Sequence, residues 1–378
     1  MLGATYFDNF LRSSLVVRKV EYLPPLPAMP GGVAGDENYL CARERTVVSF
    51  YPRIGHGKYG TPVVRGLDVG LFPYSYGFMS YSNLRCLIPG TAAQGWHPMV
   101  FLYDVVTGAV TQLALPDLLT VGQVYGGSSS ISSDGVSVIL YDNFKEQQSS
   151  TPQIKHWLSK IYVIVANAVS YSWEQPTVTI PLSESPNIHC VNISNDGKMI
   201  VATSQYNTYV FKLAGTWSLS ETLISDVVDW TYNGWSYPTC VAIEDDNKSF
   251  VTLNHEGLTQ YDYSSGVLAK RRIWSHYPSS PSQNYLAIYD NTLKWEISIV
   301  GKSMSVLQRT QKGTYPMPEY KKEHAVGTIY RKIQGRWTFD RALFSERSEK
   351  NVEGASLLSE VGLITGTEGS VVGAYDYA

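Results

Sequence analysis

The feature that most constrains the fold is a repeat of short strands joined by tight turns. The stretch "CVNISNDGKMIVATSQYNTYVF" (190–211) returns fifty residues later as "CVAIEDDNKSFVTLNHEGLTQY" (240–261), so that Asp196 aligns with Asp246. A third copy, "SSSISSDGVSVILYDN" (128–143), places Asp134 in the same register. Asp and Gly are typical of hairpin turns, because both tolerate a positive φ. We therefore predict two-residue hairpins at the Asp-Gly pairs and a structural role for all three aspartates.

A second repeat lies downstream of the first. The stretch "NTYVFKLAGTWSLSETL" (207–223) returns 120 residues later as "GTIYRKIQGRWTFDRAL" (327–343), with Trp217 aligned with Trp337. Each tryptophan comes two residues after a glycine that suits a tight turn. We predict that each Trp begins the outer strand of its repeat unit, with at least one unit between the two, and that it serves packing and not a binding site.

The rest of the chain has the same strand-rich character. Apolar runs of four to eight residues alternate with Gly, Asn, Asp, Ser and Pro clusters, and no sustained helical period appears. Units of four strands recur roughly every 35 to 60 residues, which is the spacing of propeller blades. One such unit cannot bury both faces of its sheet alone, so the units stack around an axis. The predicted fold is an all-β propeller of about seven four-stranded blades, with six and eight as alternatives.

Ring closure is predicted to use both ends of the chain. The last residues, "EVGLITGTEGSVVGAYDYA" (360–378), supply two strands of a unit but no outer one. The stretch "SLVVRKVEYL" (14–23) has the length and alternation to supply it and so to cover an exposed edge. The predicted organisation is an arm with the closing strand and a Pro/Gly-rich connector (1–35), followed by the propeller (36–378).

The stretch "SNDGKMIVATSQYNTYVFKLAGTWSLSETL" (194–223) resembles the blades of WD40-like and FG-GAP-like propellers. In those families an Asp-Gly hairpin leads to a strand, an aromatic strand and a G-x-W turn. The resemblance implies the propeller fold. The chain lacks the Trp-Asp dipeptide at the ends of its third strands and the Asp-x-Asp-x-Asp loop of calcium-binding units. A calcium role for the repeats is therefore not expected.

Two segments are candidate interaction surfaces. Pro24, Pro25 and Pro27 lie in "EYLPPLPAMPGGVAG" (21–35), where an extended strap could dock on a neighbouring subunit. The alternative is a plain connector from the closing strand to the first blade. In "FPYSYGFMSYSN" (72–83), the aromatic residues include Tyr74, Tyr76 and Tyr81 and could form a stacking platform. The alternative is that they are inward-facing residues of an edge strand.

Composition and spacing exclude several kinds of function. With 30 basic and 33 acidic residues, the formal net charge is -3, which does not favour nucleic-acid binding. Four scattered cysteines and seven histidines show no metal-ligand spacing, so we expect buried thiols, no metal site and no cofactor. The start of the chain lacks a leader pattern, and no apolar run nears the ~20 residues that span a bilayer. Synthesis in a cytosol without membrane insertion is the expectation.

The leading functional hypothesis is a non-enzymatic structural or interaction protein. The Tyr-, Ser- and Gly-rich composition is similar to that of virion proteins, notably propellers of bacteriophage tails and surface appendages. Its partners would then be other virion proteins, its own copies, or a surface receptor or glycan, and its final location the virion. One alternative is a polysaccharide-acting enzyme that uses Asp104, Glu256 or Asp290 for acid-base chemistry. The other is a cytosolic WD40-like scaffold that binds peptides.

Overall fold

The computed structural model describes part of the chain. The described residues are 19–22, 30–44, 47–55, 58–66, 79–82, 84–91, 98–113, 129–132, 137–146, 156–166, 171–173, 178–179, 188–204, 207–224, 240–254, 257–275, 292–310, 325–344, 352–357, 359, 362–367 and 371–376. Within these ranges every regular element is a β-strand. No helix in them is long and apolar enough to cross a membrane.

The described strands form seven antiparallel sheets, which we number as blades in chain order. The first three are blade 1 with β2 (Pro30–Gly35), β3 (Tyr39–Glu44), β4 (Val47–Gly55), β5 (Lys58–Tyr59) and β6 (Val63–Gly66), blade 2 with β7 (Ser80–Ser82), β8 (Arg85–Thr91), β9 (Pro98–Asp104) and β10 (Val110–Leu113), and blade 3 with β11 (Ser129–Ile131), β12 (Ser137–Glu146), β13 (His156–Ala166), β14 (Tyr171–Trp173) and β15 (Val178–Thr179).

The last four follow the same plan. They are blade 4 with β16 (Ile188–Ile193), β17 (Met199–Ser204), β18 (Asn207–Ala214) and β19 (Thr216–Ile224), blade 5 with β20 (Cys240–Ile243), β21 (Ser249–Asn254), β22 (Gly257–Asp262) and β23 (Ala269–Ser275), blade 6 with β24 (Thr292–Val300), β25 (Ser303–Thr310), β26 (Ala325–Ile333) and β27 (Arg336–Phe344), and blade 7 with β28 (Val352–Leu357), β29 (Gly362–Thr367), β30 (Val371–Asp376) and β1 (Lys19–Tyr22).

The sheets are arranged as a β-propeller, which confirms the predicted class. The first strand of each blade contacts the first strands of its two neighbours, so that β2, β7, β11, β16, β20, β24 and β28 form a closed inner ring. Five blades have the predicted four strands. Blades 1 and 3 each have a fifth, short strand. It pairs with the third strand of its sheet, as the outermost strand does: β6 pairs with β4 in blade 1, and β15 pairs with β13 in blade 3.

Closure by the N-terminal strand is confirmed. Strand β1 pairs antiparallel with β30, with Lys19 opposite Tyr375 and Tyr22 opposite Gly373. It is the outermost strand of blade 7, where the chain end supplies the inner three. The predicted connector between arm and propeller is shorter than expected, because Pro30–Gly35 forms β2, the innermost strand of blade 1. That stretch of the predicted arm is therefore part of the ring.

The core lies between blades and not within any one of them. One buried cluster joins blades 1 and 2, where the rings of Phe50 and Tyr103 stack with centroids 4.1 Å apart. A second joins blades 3 and 4, and a third runs from blade 4 through blade 5 to blade 6. Every residue of β17 is buried, because a second strand is covered by a neighbouring blade on both faces.

Trp217 and Trp337 are each the second residue of an outermost strand, in blades 4 and 6 with blade 5 between them. Both side chains are buried and face the preceding blade: Trp217 packs in the cluster with blade 3, and Trp337 packs in the cluster with blade 5.

The hairpins before the two tryptophans differ by one residue in register. Trp217 lies opposite Leu213, whereas Trp337 lies opposite Lys332. Because side chains alternate across a strand, residues aligned before the turn point to opposite faces of their blades. Lys212 therefore faces blade 5 from one side, and its aligned partner Lys332 faces blade 5 from the other.

The turns at the Asp repeat are longer than predicted. In blade 4 the turn is closed by a bond from the Ser194 N–H to the Met199 carbonyl (2.8 Å), with the Gly197 N–H bound to the Ser194 carbonyl (2.9 Å). Gly197 has φ 67°, and Asn247 takes the same place in blade 5 with φ 56°. The prediction of two-residue hairpins is therefore wrong here, since four residues separate the paired positions.

The aspartates of these turns bind backbone amides. The Asp196 carboxylate accepts a bond from the Lys198 N–H (3.1 Å). Asp246 accepts bonds from the Lys248 N–H (2.8 Å) and the Ser249 N–H (2.7 Å). They stabilise the turn by capping and not by taking the positive φ themselves. Asp134 lies outside the described residues.

Removal of the closing strand should destabilise the ring. A chain without residues 1–22 leaves the backbone groups of β30 unpaired at an edge, which invites association with other chains. We expect a lower urea midpoint and soluble aggregates in size-exclusion chromatography. A chain without residues 1–18 retains β1 and is the control. A monomer with an unchanged midpoint after deletion of 1–22 would contradict a closing role for β1.

Substitution of Gly215 should show the cost of its backbone conformation alone. Gly215 has φ 85°, and a Cβ added there would meet no atom within 4 Å. Gly215→Ala should therefore lower the free energy of unfolding by about 1–2 kcal/mol, the cost of a left-handed conformation for an L-residue. Gly66 also has open space around it but an ordinary φ. Gly66→Ala should be close to neutral, and equal effects of the two changes would contradict the assignment.

Candidate interaction surface

One face of the propeller carries two kinds of turn from each blade. The turn between the first and second strands and the hairpin between the third and fourth lie at the same end of an antiparallel sheet. In five blades a backbone N–H at the end of the third strand bonds to a carbonyl of the first turn. These pairs are Arg53 to Asn38, Val105 to Leu84, Leu213 to Lys198, Tyr263 to Lys248 and Lys332 to Lys302. We call the surface formed by these turns the turn face.

Hydrogen bonds join the turns of blades 4, 5 and 6 to each other. The Asn195 amide donates to Asp245 Oδ1 (2.9 Å), and the Gly301 N–H donates to Asp245 Oδ2 (2.8 Å). The Asp196 N–H donates to the Asn247 side chain (3.2 Å). The single carboxylate of Asp245 thus joins three blades, and the turn face has a fixed shape in this sector.

An exposed aliphatic side chain lies in or beside the outer hairpin of each of these five blades. Their exposed fractions run from 37% to 73%. They are Ile54, Val106, Leu213, Val267 and Ile333, which we call the tip residues. Single exposed aliphatic residues are ordinary on protein surfaces, but their recurrence around the outer hairpins of one face is a pattern that marks contact surfaces.

Three adjacent blades have a lysine at the same place in the turn between their first and second strands. Lys198, Lys248 and Lys302 end the first turns of blades 4, 5 and 6, and all three are exposed. The carbonyl of each accepts the bond from the hairpin that carries the tip residue of its blade. Each of these blades therefore presents an exposed lysine and an exposed aliphatic side chain on the turn face.

A buried carboxylate lies beneath this sector. Glu244 is 3% exposed and accepts bonds from Gln260 Nε2 (2.8 Å) in its own blade and from Trp337 Nε1 (2.9 Å) in blade 6. Its other oxygen accepts a bond from the Lys332 ammonium group, which also lies 5.8 Å from the centre of the Trp337 ring. The ion pair and its hydrogen bonds connect blades 5 and 6, and the carboxylate has a partner on each oxygen.

Glu244 replaces a serine of the repeat. In blade 4 the aligned residue is Ser194, whose Oγ accepts bonds from the backbone N–H groups of Lys198 (3.1 Å) and Met199 (2.9 Å). Glu244 keeps the backbone bonds of the turn but directs its carboxylate towards the next blade. The substitution of Glu for Ser in the aligned repeat is the sequence signal for this connection.

Lys212 of blade 4 contacts the other side of blade 5. Its ammonium group lies 4.1 Å from the centre of the Tyr263 ring, at the hairpin of blade 5. Burial, with the neighbouring Glu221 carboxylate, raises the pKa of Tyr263 and keeps it neutral. On the same hairpin, hydrogen bonds from Ser264 lower the pKa of Asp262 below its usual range. This hairpin is therefore held by Lys212 of blade 4 and by its own cap.

The predicted surface residues are only partly described. Pro24, Pro25, Pro27, Tyr74 and Tyr76 lie outside the described residues, and their roles stay predictions. Tyr81 lies in β7, on the inner strand of blade 2, and packs against the cluster between blades 1 and 2. Burial raises the pKa of its phenol. Its observed role is packing, and its use in a contact surface stays a prediction.

Of the three carboxylates in the enzyme hypothesis, only that of Asp104 lies in the described part of the chain. The Asp104 carboxylate accepts bonds from the N–H groups of Val106 (3.0 Å) and Thr107 (2.8 Å), so it caps a hairpin. Glu256 and Asp290 lie outside the described residues. In the described part of the chain, no cluster of His, Cys, Asp or Glu has the arrangement of a metal site.

The four cysteines, Cys41, Cys86, Cys190 and Cys240, are buried thiols that form no disulfide, as expected from the sequence. Burial raises the pKa of Cys41 well above that of an exposed thiol, which favours the protonated and unreactive form.

Removal of the Glu244 carboxylate should destabilise the contact between blades 5 and 6. Glu244→Ala leaves the Lys332 charge and the Trp337 N–H without their acceptor, a loss of about 3–5 kcal/mol for a buried pair. Urea unfolding measures the change. The matched control is Glu37→Ala, since Glu37 is 62% exposed and pairs with Arg53 at 3.9 Å. That change should cost below about 1 kcal/mol, and equal losses would refute the assignment.

Comparison with known proteins bears on the fold. No family model matches the chain, and no curated protein matches its sequence. Among solved structures, the chain is similar to the crystal structure of the β-propeller domain of Cps50 (Swd1) from Myceliophteria thermophila, with a TM-score of 0.59 and 9% sequence identity. The match covers 96% of this chain and 100% of that domain. At this identity the likeness concerns the fold alone, and it confirms that the chain is a β-propeller.

Proposed function

We propose that this protein is a non-enzymatic interaction platform that binds protein partners on its turn face. The observation that carries the proposal is the recurrence of an exposed aliphatic residue at or beside five outer hairpins. Apolar side chains on one face, set among polar turns, have the composition of a contact surface with a polar surround.

The rigidity of the turn face supports the same proposal. The tip residues stand on hairpins that are bonded to neighbouring turns, and in blades 4 to 6 these turns are bonded to each other. A surface that is already ordered loses little conformational entropy when a partner binds. Such a surface is suited to repeated, specific contacts between proteins.

The narrower form of the proposal is a virion component, such as a bacteriophage tail or surface protein, made in the cytosol and assembled with other virion proteins. It is supported by the Tyr-, Ser- and Gly-rich composition. A partner could equally be another copy of the chain, a surface receptor, or a peptide bound as in a cytosolic scaffold. All of these partners would use the same face.

Site-specific photo-cross-linking tests the proposal. The photoreactive residue p-benzoylphenylalanine is placed at Val267 or at Ile333 in cells that make the protein. The control position is Ile224, which is 72% exposed but lies at the far end of β19, away from the turn face. We expect discrete protein adducts from both tip positions, identified by mass spectrometry, and none of these adducts from Ile224.

Two results would overturn the proposal. One is that the tip positions yield no protein adduct although the protein is folded and the photoreactive residue is incorporated. The other is that Ile224 yields the same adducts at the same level, which would mean that cross-linking reports exposure and not a binding face.

A further inference from the structure

Two of the four buried cysteines face each other across the contact between blades 1 and 2. Cys41 lies opposite Phe50 in the register of β3 with β4, and Cys86 lies opposite Tyr103 in the register of β8 with β9. Side chains of directly opposite residues project from the same face of a sheet. Because the rings of Phe50 and Tyr103 stack on each other between the blades, the two cysteines point into the same contact from opposite sides.

The thiols of Cys41 and Cys86 are neighbours within that contact. Both residues are 0% exposed, and both belong to the buried cluster that joins blades 1 and 2. Burial first, and then a hydrogen bond with the Cys86 side chain, raises the pKa of Cys41. The two thiols are therefore within reach of each other, although they belong to different sheets.

The hydrogen bonds of the Cys190 thiol, in contrast, go to the main chain. Cys190 and Cys240 lie in the first strands of blades 4 and 5. The Cys190 thiol donates to the carbonyls of Val191 and Val241, with sulfur-to-oxygen distances of 3.9 and 4.0 Å. The four cysteines thus share burial, but the thiol of Cys41 has a second thiol as its partner.

Two thiols alone do not make a metal site of the usual kind. Structural zinc takes four ligands in a tetrahedral arrangement. In the part of the chain that the structure describes, no three side chains of His, Cys, Asp or Glu are grouped as ligands. The chemistry open to a pair of adjacent thiols is the formation of a bond between their sulfur atoms.

We propose that Cys41 and Cys86 are a site of disulfide formation, which joins blades 1 and 2 covalently when the protein meets a peroxide. One cysteine, as its thiolate, attacks an oxygen of hydrogen peroxide, and the O–O bond breaks to give a sulfenic acid and hydroxide. The second thiol attacks that sulfur, the S–O bond breaks and the S–S bond forms. The two thiols lose two electrons, which reduce the peroxide, and with their protons the products are one disulfide and two waters.

The buried position makes the pair slow to react but directs the product. The raised pKa of Cys41 leaves little thiolate while the contact is closed. Hydrogen peroxide is little larger than water, so a small local opening admits it. Once a sulfenic acid forms, its nearest partner is the other thiol, which favours the disulfide over further oxidation to a sulfinic acid.

The bond would join two packed sheets, as the inter-sheet disulfide of immunoglobulin domains does. Blade 1 contacts blade 7 through β2 and β28, where the ring closes. The disulfide attaches blade 1 to its other neighbour. It therefore strengthens the ring next to the closing blade.

Alkylation and intact mass spectrometry test the proposal. The full chain is treated with hydrogen peroxide, freed of peroxide, unfolded in urea and labelled with N-ethylmaleimide, which adds a fixed mass to each remaining thiol. We expect the labelled thiols to fall from four to two without added oxygen, and digestion to yield linked peptides that contain Cys41 and Cys86. Cys190 is the internal control: it is 8% exposed, so oxidation that followed exposure would consume it first.

Serine variants separate the cross-link from general oxidation. Cys41→Ser and Cys86→Ser should each abolish the linked peptides, whereas Cys190→Ser, the matched control, should retain them. In the wild-type chain and in Cys190→Ser, peroxide should raise the urea midpoint, because a cross-link lowers the entropy of the unfolded chain. In the other two variants the midpoint should not rise. Dithiothreitol should return the raised midpoints to their original values.

Three results would overturn the proposal. They are four labelled thiols after peroxide treatment, oxygen added to Cys41 or Cys86 without a link between them, and loss of Cys190 at the same rate as the pair. A serine variant that shows no urea transition before treatment is unfolded. The wild-type chain then decides alone, since its linked peptides identify both cysteines.

Discussion

Face-to-face packing of neighbouring sheets is the constraint on which the rest of the structure depends. The second strands are covered on both sides, as in β17, where every residue is buried. A blade with such a strand is stable only between two others, and the first and last blades satisfy this condition only in a closed ring. The pairing of β1 with β30 completes the last blade and so secures its outer edge.

Within the ring, blades 4 to 6 add polar connections to the apolar ones. Lys212 reaches the Tyr263 ring on one face of blade 5, while Lys332 and Trp337 reach Glu244 from the other side. Asp245 joins the turns of all three blades at the surface. The same three blades carry the tip residues Leu213, Val267 and Ile333. A partner on this part of the turn face would thus bind where the described ring is most extensively cross-connected.

Local patterns in the sequence predicted the propeller, its ring closure and the outer-strand position of the repeated tryptophans. They could not predict the one-residue difference between the hairpins before Trp217 and Trp337, because the two stretches align without a gap. That difference reverses the face to which Lys212 and Lys332 point. The tip residues were missed for a related reason: an isolated Val267 or Ile333 has meaning only when the position of every hairpin on one face is known.

The closing pair has a consequence for how the chain is made. Strand β1 precedes every other described strand, and about 350 residues separate Tyr22 from its partner Gly373. At a typical synthesis rate of roughly 5–20 residues per second, β1 leaves the ribosome tens of seconds before its partner exists. During that interval it must remain unpaired while the blades between form one after another. The ring is therefore completed only after β30 has been made, and a chain that stops before β30 has no means of closing.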